Sequence, residues 1–177
     1  MITIAIDPGS TGGIAIFNGK KLLEIFSMPA LTHVKSSGGN KQLTNAAGVA
    51  NILRSYVAAC PGEVRAVMEL VNSSPQMGVV SAFSFGEAKG TIIGVLGALE
   101  IPYTEVMPQV WKAVAGVKVP NSSTMKVSEA RAIGKELSRS KAIKAFPEFE
   151  PQLRLKKDAD KADAIWIGWY KVTTDPI

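Results

Sequence analysis

The first 27 residues leave the chain few arrangements. Ile2-Thr3-Ile4-Ala5-Ile6 alternates so that Ile2, Ile4 and Ile6 share a face, the period of a strand. Gly12-Gly13 opens a second apolar run, Ile14-Ala15-Ile16-Phe17. Asn18-Gly19 behind it is a two-residue hairpin turn, since both positions accept positive φ. A third strand is expected over residues 22–27. Two tight connections in succession make an antiparallel meander, and everything downstream has to dock on it.

Residues 29–42 carry Pro29, Ser36, Ser37, Gly38 and Gly39 and read as a loop, mobile at its glycines. Ala46, Val49, Ala50, Leu53 and Val57 have helical spacing, with Thr44 or Asn45 as N-cap and Pro61-Gly62 as terminator. Residues 64–71 read as a buried strand interrupted by Glu69, and 72–78 as a loop. A long helix is expected over 79–99. Its Gly86, Gly90, Gly94 and Gly97 each cost about 1 kcal/mol of helix propensity, so close packing should compensate. A short strand at 101–106 precedes a helix starting at Pro108, with Trp111 in the core. Residues 116–123 form a loop, and a helix follows over 123–139 with Ser123 or Thr124 as N-cap. A loop holding Pro147 and Pro151 leads to a last helix at 159–172. One sheet with helices on both faces satisfies this order, the later strands running parallel to the first through right-handed crossovers.

With 46% hydrophobic and 20% charged residues, the chain reads as one globular domain over 1–177. No apolar run is expected to reach the roughly 20 residues of a membrane helix, and the first residues read as a strand rather than a leader. No membrane association and a cytoplasmic location are the expectation. One cysteine, Cys60, and one histidine, His33, exclude an internal disulfide and a Cys/His zinc site. Neither sits in a nucleophile motif; Cys60 reads as a helix end and His33 as a loop residue. The net charge of +5 favours a polyanionic partner. Its bases concentrate late in the chain, among them Lys112, Lys118, Lys126, Arg131, Lys135 and Arg139, a pattern suited to phosphate backbones or to solvated helix faces.

Asp7 ends the first apolar strand, Glu69 the fourth, and Asp160 and Asp163 lie three apart at the start of the last helix. Singly, each has a plain explanation: Asp7 as a turn former, Glu69 as a strand end, Asp160 or Asp163 as an N-terminal helix charge. Together they suggest a cluster at the C-terminal sheet edge, where open α/β sheets bind ligands. Gathered carboxylates need a cation or raised pKa values. Oxygen ligands without His or Cys select Mg²⁺ or Mn²⁺, and two such ions can activate water in phosphodiester cleavage. Asp158 would face away and reads as a cap or solvent charge.

These residues match a known pattern. Ile4-Ala5-Ile6-Asp7-Pro8-Gly9-Ser10-Thr11-Gly12-Gly13, Val67-Met68-Glu69 and Asp160-Lys161-Ala162-Asp163-Ala164 resemble, in that order, the opening strand and hairpin, second acidic strand and terminal helix of RuvC-like Holliday-junction resolvases. Gly78-Val79-Val80-Ser81 through Phe85-Gly86, and Pro108-Gln109-Val110-Trp111-Lys112, look like the compact bacteriophage members. The resemblance implies an RNase H-like α/β fold with a five-stranded mixed sheet, order 3-2-1-4-5, flanked by helices on both faces. It also implies a homodimer, two Mg²⁺ ions per active site replaceable by Mn²⁺, and paired nicks in a four-way DNA junction. Asp7, Glu69, Asp160 and Asp163 would be the catalytic metal ligands. Lys126 resembles a basic residue that touches the scissile phosphate region, and Lys112 and Lys118 join it as expected DNA contacts. One departure is the run Leu70-Val71-Asn72-Ser73-Ser74, which lacks the aromatic wedge that better-known members carry after the second acid. The other readings are a broader fork or flap nuclease, a non-catalytic DNA-binding relative, and an actin-like phosphotransferase whose Asp7-to-Gly12 turn would cradle phosphates.

Overall fold

The computed structural model describes residues 1–34, 36, 38–72, 77–119 and 124–175. Its first three strands are β1 (Ile2–Asp7), β2 (Gly13–Asn18) and β3 (Lys21–Ser27), paired antiparallel in sequence. Gly19 turns the β2–β3 hairpin with φ 53°, as Asn18-Gly19 implies. The chain continues through β4 (Ala30–Val34), β5 (Asn40–Thr44), α1 (Ala46–Ala59), β6 (Val64–Glu69), α2 (Val79–Ala98), β7 (Tyr103–Val106), α3 (Pro108–Val114), α4 (Val127–Ala145) and α5 (Ala159–Thr174). β6 joins β1 in parallel and β7 joins β6 in parallel, so the main sheet has the order β3-β2-β1-β6-β7. With the separate β4–β5 hairpin set aside, this is the 3-2-1-4-5 order expected of an RNase H-like sheet.

Strand alternation sends two sets of side chains to two cores. Ile2, Ile4 and Ile6 pack with Val49, Leu53, Ile92 and Leu96 of α1 and α2. Ala5, Ala15, Phe17 and Val67 pack on the other side with Trp111 of α3, Ala142 of α4 and Ala162, Ile165 and Ile167 of α5. Asp7 has the parity of Ala5, and Glu69 that of Val67, so both acids face α5.

Small residues let α5 lie tight against the sheet. A Cβ on Gly13 would stand 2.8 Å from the Asp160 carbonyl oxygen, and one on Gly168 would stand 2.9 Å from the Ala5 Cβ. These two close approaches, one at the first turn of α5 and one past its middle, hold the helix close above β1 and β2. Asn45 caps α1 by accepting from the Gly48 amide at 3.0 Å, and Cys60 is the C-cap of that helix, as expected.

Four expectations are corrected. The stretch 29–42 read as a loop contains strand β4 and most of β5, paired as a hairpin, so His33 is a strand residue paired with Lys41. β4 is exposed on both faces and β5 only half-buried, so neither strand carries the apolar alternation that betrays one. The helix after the long loop begins at Val127 rather than 123, with Lys126 at its N-cap; Ser123 lies outside the described residues. The run containing Pro147 and Pro151 is a 3-10 segment, Pro147–Gln152.

The fourth concerns α2. Its 20 residues are, by length and composition, enough to cross a membrane, contrary to expectation, although a single such helix is weak evidence of spanning. Nor do its glycines pack closely: among the described residues, a Cβ at Gly86, Gly90, Gly94 or Gly97 would meet nothing within 4 Å. The later part of the helix buries Ile92, Val95 and Leu96, and ion pairs Lys41–Glu87 and Lys89–Glu105 tie it to β5 and β7. Its first turns leave Val79, Val80 and Phe83 exposed.

Candidate metal centre

The parallel ladder between β1 and β6 ends at Ile6 opposite Met68. The next residues, Asp7 and Glu69, therefore emerge side by side at the C-terminal edge. α5 arrives over that edge with Asp160 and Asp163 on one face. One carboxylate oxygen each from Asp7, Asp160 and Asp163 lies within 4.8 Å of the others. Two oxygens on one Mg²⁺ at about 2.1 Å stand at most about 4 Å apart, so small side-chain movements would close the trio on a single hard cation. Glu69 stands beside this trio, and its Oε2 accepts from the buried Trp111 indole at 2.8 Å.

The electrostatics state the same need for positive charge. Burial pushes the Asp7 carboxyl well above the ordinary carboxylate range, and the charges of Glu69, Asp163 and Asp160 push the same way against Lys135. Asp163 rises from 3.8 to about 6, chiefly through burial, although a hydrogen bond from Ser138 and the charge of Lys112 pull it down. Burial also raises Glu69, against the Trp111 hydrogen bond and the charges of Lys112 and Lys135. Such an arrangement is costly for metal-free protein and well suited to a divalent ion held by oxygens alone.

The acids line a cleft of about 530 Å³ whose other walls include Gly9, Thr11, Gly12, Phe85, Lys112, Arg131 and Lys135. Among the expected DNA contacts, Lys112 is on this wall. Lys118 and Lys126 are exposed and not among the lining residues, although Val127, next to Lys126, is. Asp158 is not a solvent charge: it is buried, accepts from the Leu155 amide and pairs with Lys161.

Three contributors escaped the reading of the sequence. Lys135 pairs with Asp160, and Ser138 donates to Asp163. Trp111, expected only to fill the core, also holds Glu69. A signal for the first two exists: Lys135 and Ser138 are three apart on α4, matching the spacing of Asp160 and Asp163 on the adjacent α5. Charge alone singled out neither.

Fold and site together define an α/β protein with a buried carboxylate centre at the C-terminal edge of a mixed five-stranded sheet. Two solved structures are similar to the chain over nearly its whole length. One is Thermus thermophilus RuvC in complex with a Holliday junction substrate, at 11% identity and TM-score 0.46, covering 99% of this chain and 97% of that one. The other is the Thermus thermophilus RuvC structure, at 12% identity and TM-score 0.47, covering 98% and 96%. Likeness of this degree decides nothing about chemistry, which rests on the side chains. No protein-family model and no curated protein matches.

Proposed function

We propose that the chain is a divalent-metal-dependent endonuclease acting on branched DNA, its substrate in the narrowest reading a four-way junction. The observation that carries this reading is the buried oxygen trio Asp7, Asp160 and Asp163, with Glu69 beside it, in a cleft whose walls include the basic Lys112, Arg131 and Lys135. Asp7, Asp160, Asp163 and Glu69 would hold Mg²⁺ or Mn²⁺. The ion, when bound, supplies an activated water and charge stabilisation for phosphodiester hydrolysis. The rest falls to the chain. Trp111 orients Glu69, Ser138 orients Asp163, and Lys112 and Arg131 draw phosphate oxygens towards the acids without reading bases. Lys118 and Lys126 extend the positive surface outside the cleft.

A broader fork or flap nuclease is the second reading, favoured by Leu70-Val71-Asn72 where an aromatic wedge would be expected after Glu69. Cleavage of a synthetic four-way junction should be compared with duplex, fork and flap controls in Mg²⁺, Mn²⁺, Ca²⁺ and chelator. Paired nicks confined to the junction, present in Mg²⁺ or Mn²⁺ and suppressed by Ca²⁺, support the narrow reading. Equal cutting of forks supports the broad one, and robust cutting in chelator rejects a metal nuclease.

Two symmetric nicks suit a two-fold protein, so the active form is proposed to be a homodimer. The exposed first turns of α2 are its proposed contact, because Val79, Val80 and Phe83 are apolar and a Cβ on the glycines behind them would meet nothing within 4 Å among the described residues. Light scattering at micromolar concentration should give twice the mass of one chain, and Phe83→Glu should halve it. A monomeric mass for the unaltered protein, with and without junction DNA, would remove the dimer.

A further inference from the structure

Among the described residues, the ion pairs include one between a base on the cleft wall and a carboxylate of the cluster, Lys135 with Asp160. We propose that the Lys135 ammonium is an internal counter-ion for the metal-free centre, standing where a divalent ion would sit and leaving Asp160 when that ion binds. The inference rests on the metal-centre reading above and names a residue that sets how readily the centre loads.

The placement supports exchange rather than a fixed strut. The Lys135 side chain is 45% exposed while that of Asp160 is 13% exposed, so the lysine reaches in from the solvent side. Four carbons of flexible stem let the ammonium swing away without moving α4. Its charge acts on Asp7 and Asp163 as well as on Asp160, the same three acids whose oxygens lie within 4.8 Å of one another. An ammonium and a divalent ion repel each other strongly at such range, so they cannot share Asp160 on equal terms. Arg131 lines the same cleft one turn earlier on α4, so the wall stays basic when Lys135 moves.

The exchange has a signature that a structural role lacks. Removing the ammonium should strengthen metal binding while weakening the metal-free protein, because one cation competes with the other and compensates for its absence. Mn²⁺ should be titrated by calorimetry, without DNA, into the unaltered protein, Lys135→Met and Lys135→Arg, with thermal melts of each in chelator. Lys135→Met is expected to bind Mn²⁺ about tenfold more tightly or better, allowing for partial solvent screening of the lysine. In chelator it should melt below the unaltered protein, with Mn²⁺ closing the gap, while Lys135→Arg stays near the unaltered protein in both measurements. If Lys135→Met does not fold, Lys135→Gln provides the same readout. Equal or weaker Mn²⁺ binding by the uncharged variant, with the unaltered protein binding normally, overturns the counter-ion role alone. Absence of Mn²⁺ binding by every form, the unaltered protein included, overturns the metal centre and the counter-ion role with it.

Discussion

Asp7→Asn is expected to reduce cleavage of branched DNA about a thousandfold or more, the scale set by the several kcal/mol that a bound ion contributes to a hydrolytic transition state. Affinity for DNA should change little, since Lys112 and Arg131 are untouched and phosphate contacts carry binding. The substitution should also stabilise the metal-free protein. Asp7 is held well above its ordinary range by burial and by the charges of Glu69, Asp163 and Asp160, and an amide of nearly the same shape removes that repulsion. The gain should vanish in saturating Mg²⁺, where the unaltered carboxylate has its partner. Single-turnover cleavage, binding across a salt series and melts with and without metal measure all three effects. Near-normal cleavage by Asp7→Asn would sink the metal-centre assignment; parallel loss of binding and cleavage would show only that the cleft had been damaged.

Without metal, the protein should become more stable as pH is lowered from about 7 to about 5, the reverse of the behaviour of a protein held by ionised acids. Folded Asp163 keeps its proton up to about pH 6, whereas an aspartate in the unfolded chain releases it near 3.8. Between those values the folded state binds more protons, so stability falls as pH rises through the window and the loss is complete above it. For Asp163 alone the full effect is about 3 kcal/mol, and the raised carboxyls of Asp7 and Glu69 add in the same direction. Glu136 and Asp175, lowered by hydrogen bonds from Arg139 and Lys171, act oppositely but titrate below this range and lie at the surface. Mg²⁺ at neutral pH should raise the melting temperature most where the proton loss is complete, and little at the acid end. A melting temperature that rises with pH across this window in chelator would mean that the acids are not crowded as the structure has them.

Both results depend on features of very different legibility. The meander β1–β2–β3 was readable because its causes are local: a period of two, and an Asn-Gly turn whose geometry depends on two residues. The same parity places Asp7 with Ala5 and Glu69 with Val67, and a three-residue step places Asp160 with Asp163. Short-range rules thus assign each acid its face, and the pairing of β1 with β6 under α5 brings the four to one edge.

Lys135, Ser138 and the second role of Trp111 were not legible, because nothing near them in sequence marks them. Lys135 is one of many late basic residues, and it differs from Lys126 only in that α4 turns it towards Asp160. The hairpin β4–β5 was not legible because, with β4 exposed and β5 only half-buried, neither strand needs the apolar pattern that reveals strands elsewhere. In α2 the spaced glycines called for close packing without naming a partner, and among the described residues they meet nothing within the chain. By itself the sequence determined the β1–β2–β3 meander and the strand ends and helix face that carry the acids, since backbone periodicity acts over a few residues; the full sheet order came only with the family resemblance. Only the tertiary structure decided which cation stands against them and how closely α5 can approach. Those depend on side chains 25 residues apart, Lys135 to Asp160, and on contacts such as Gly168 against Ala5, which no local rule encodes.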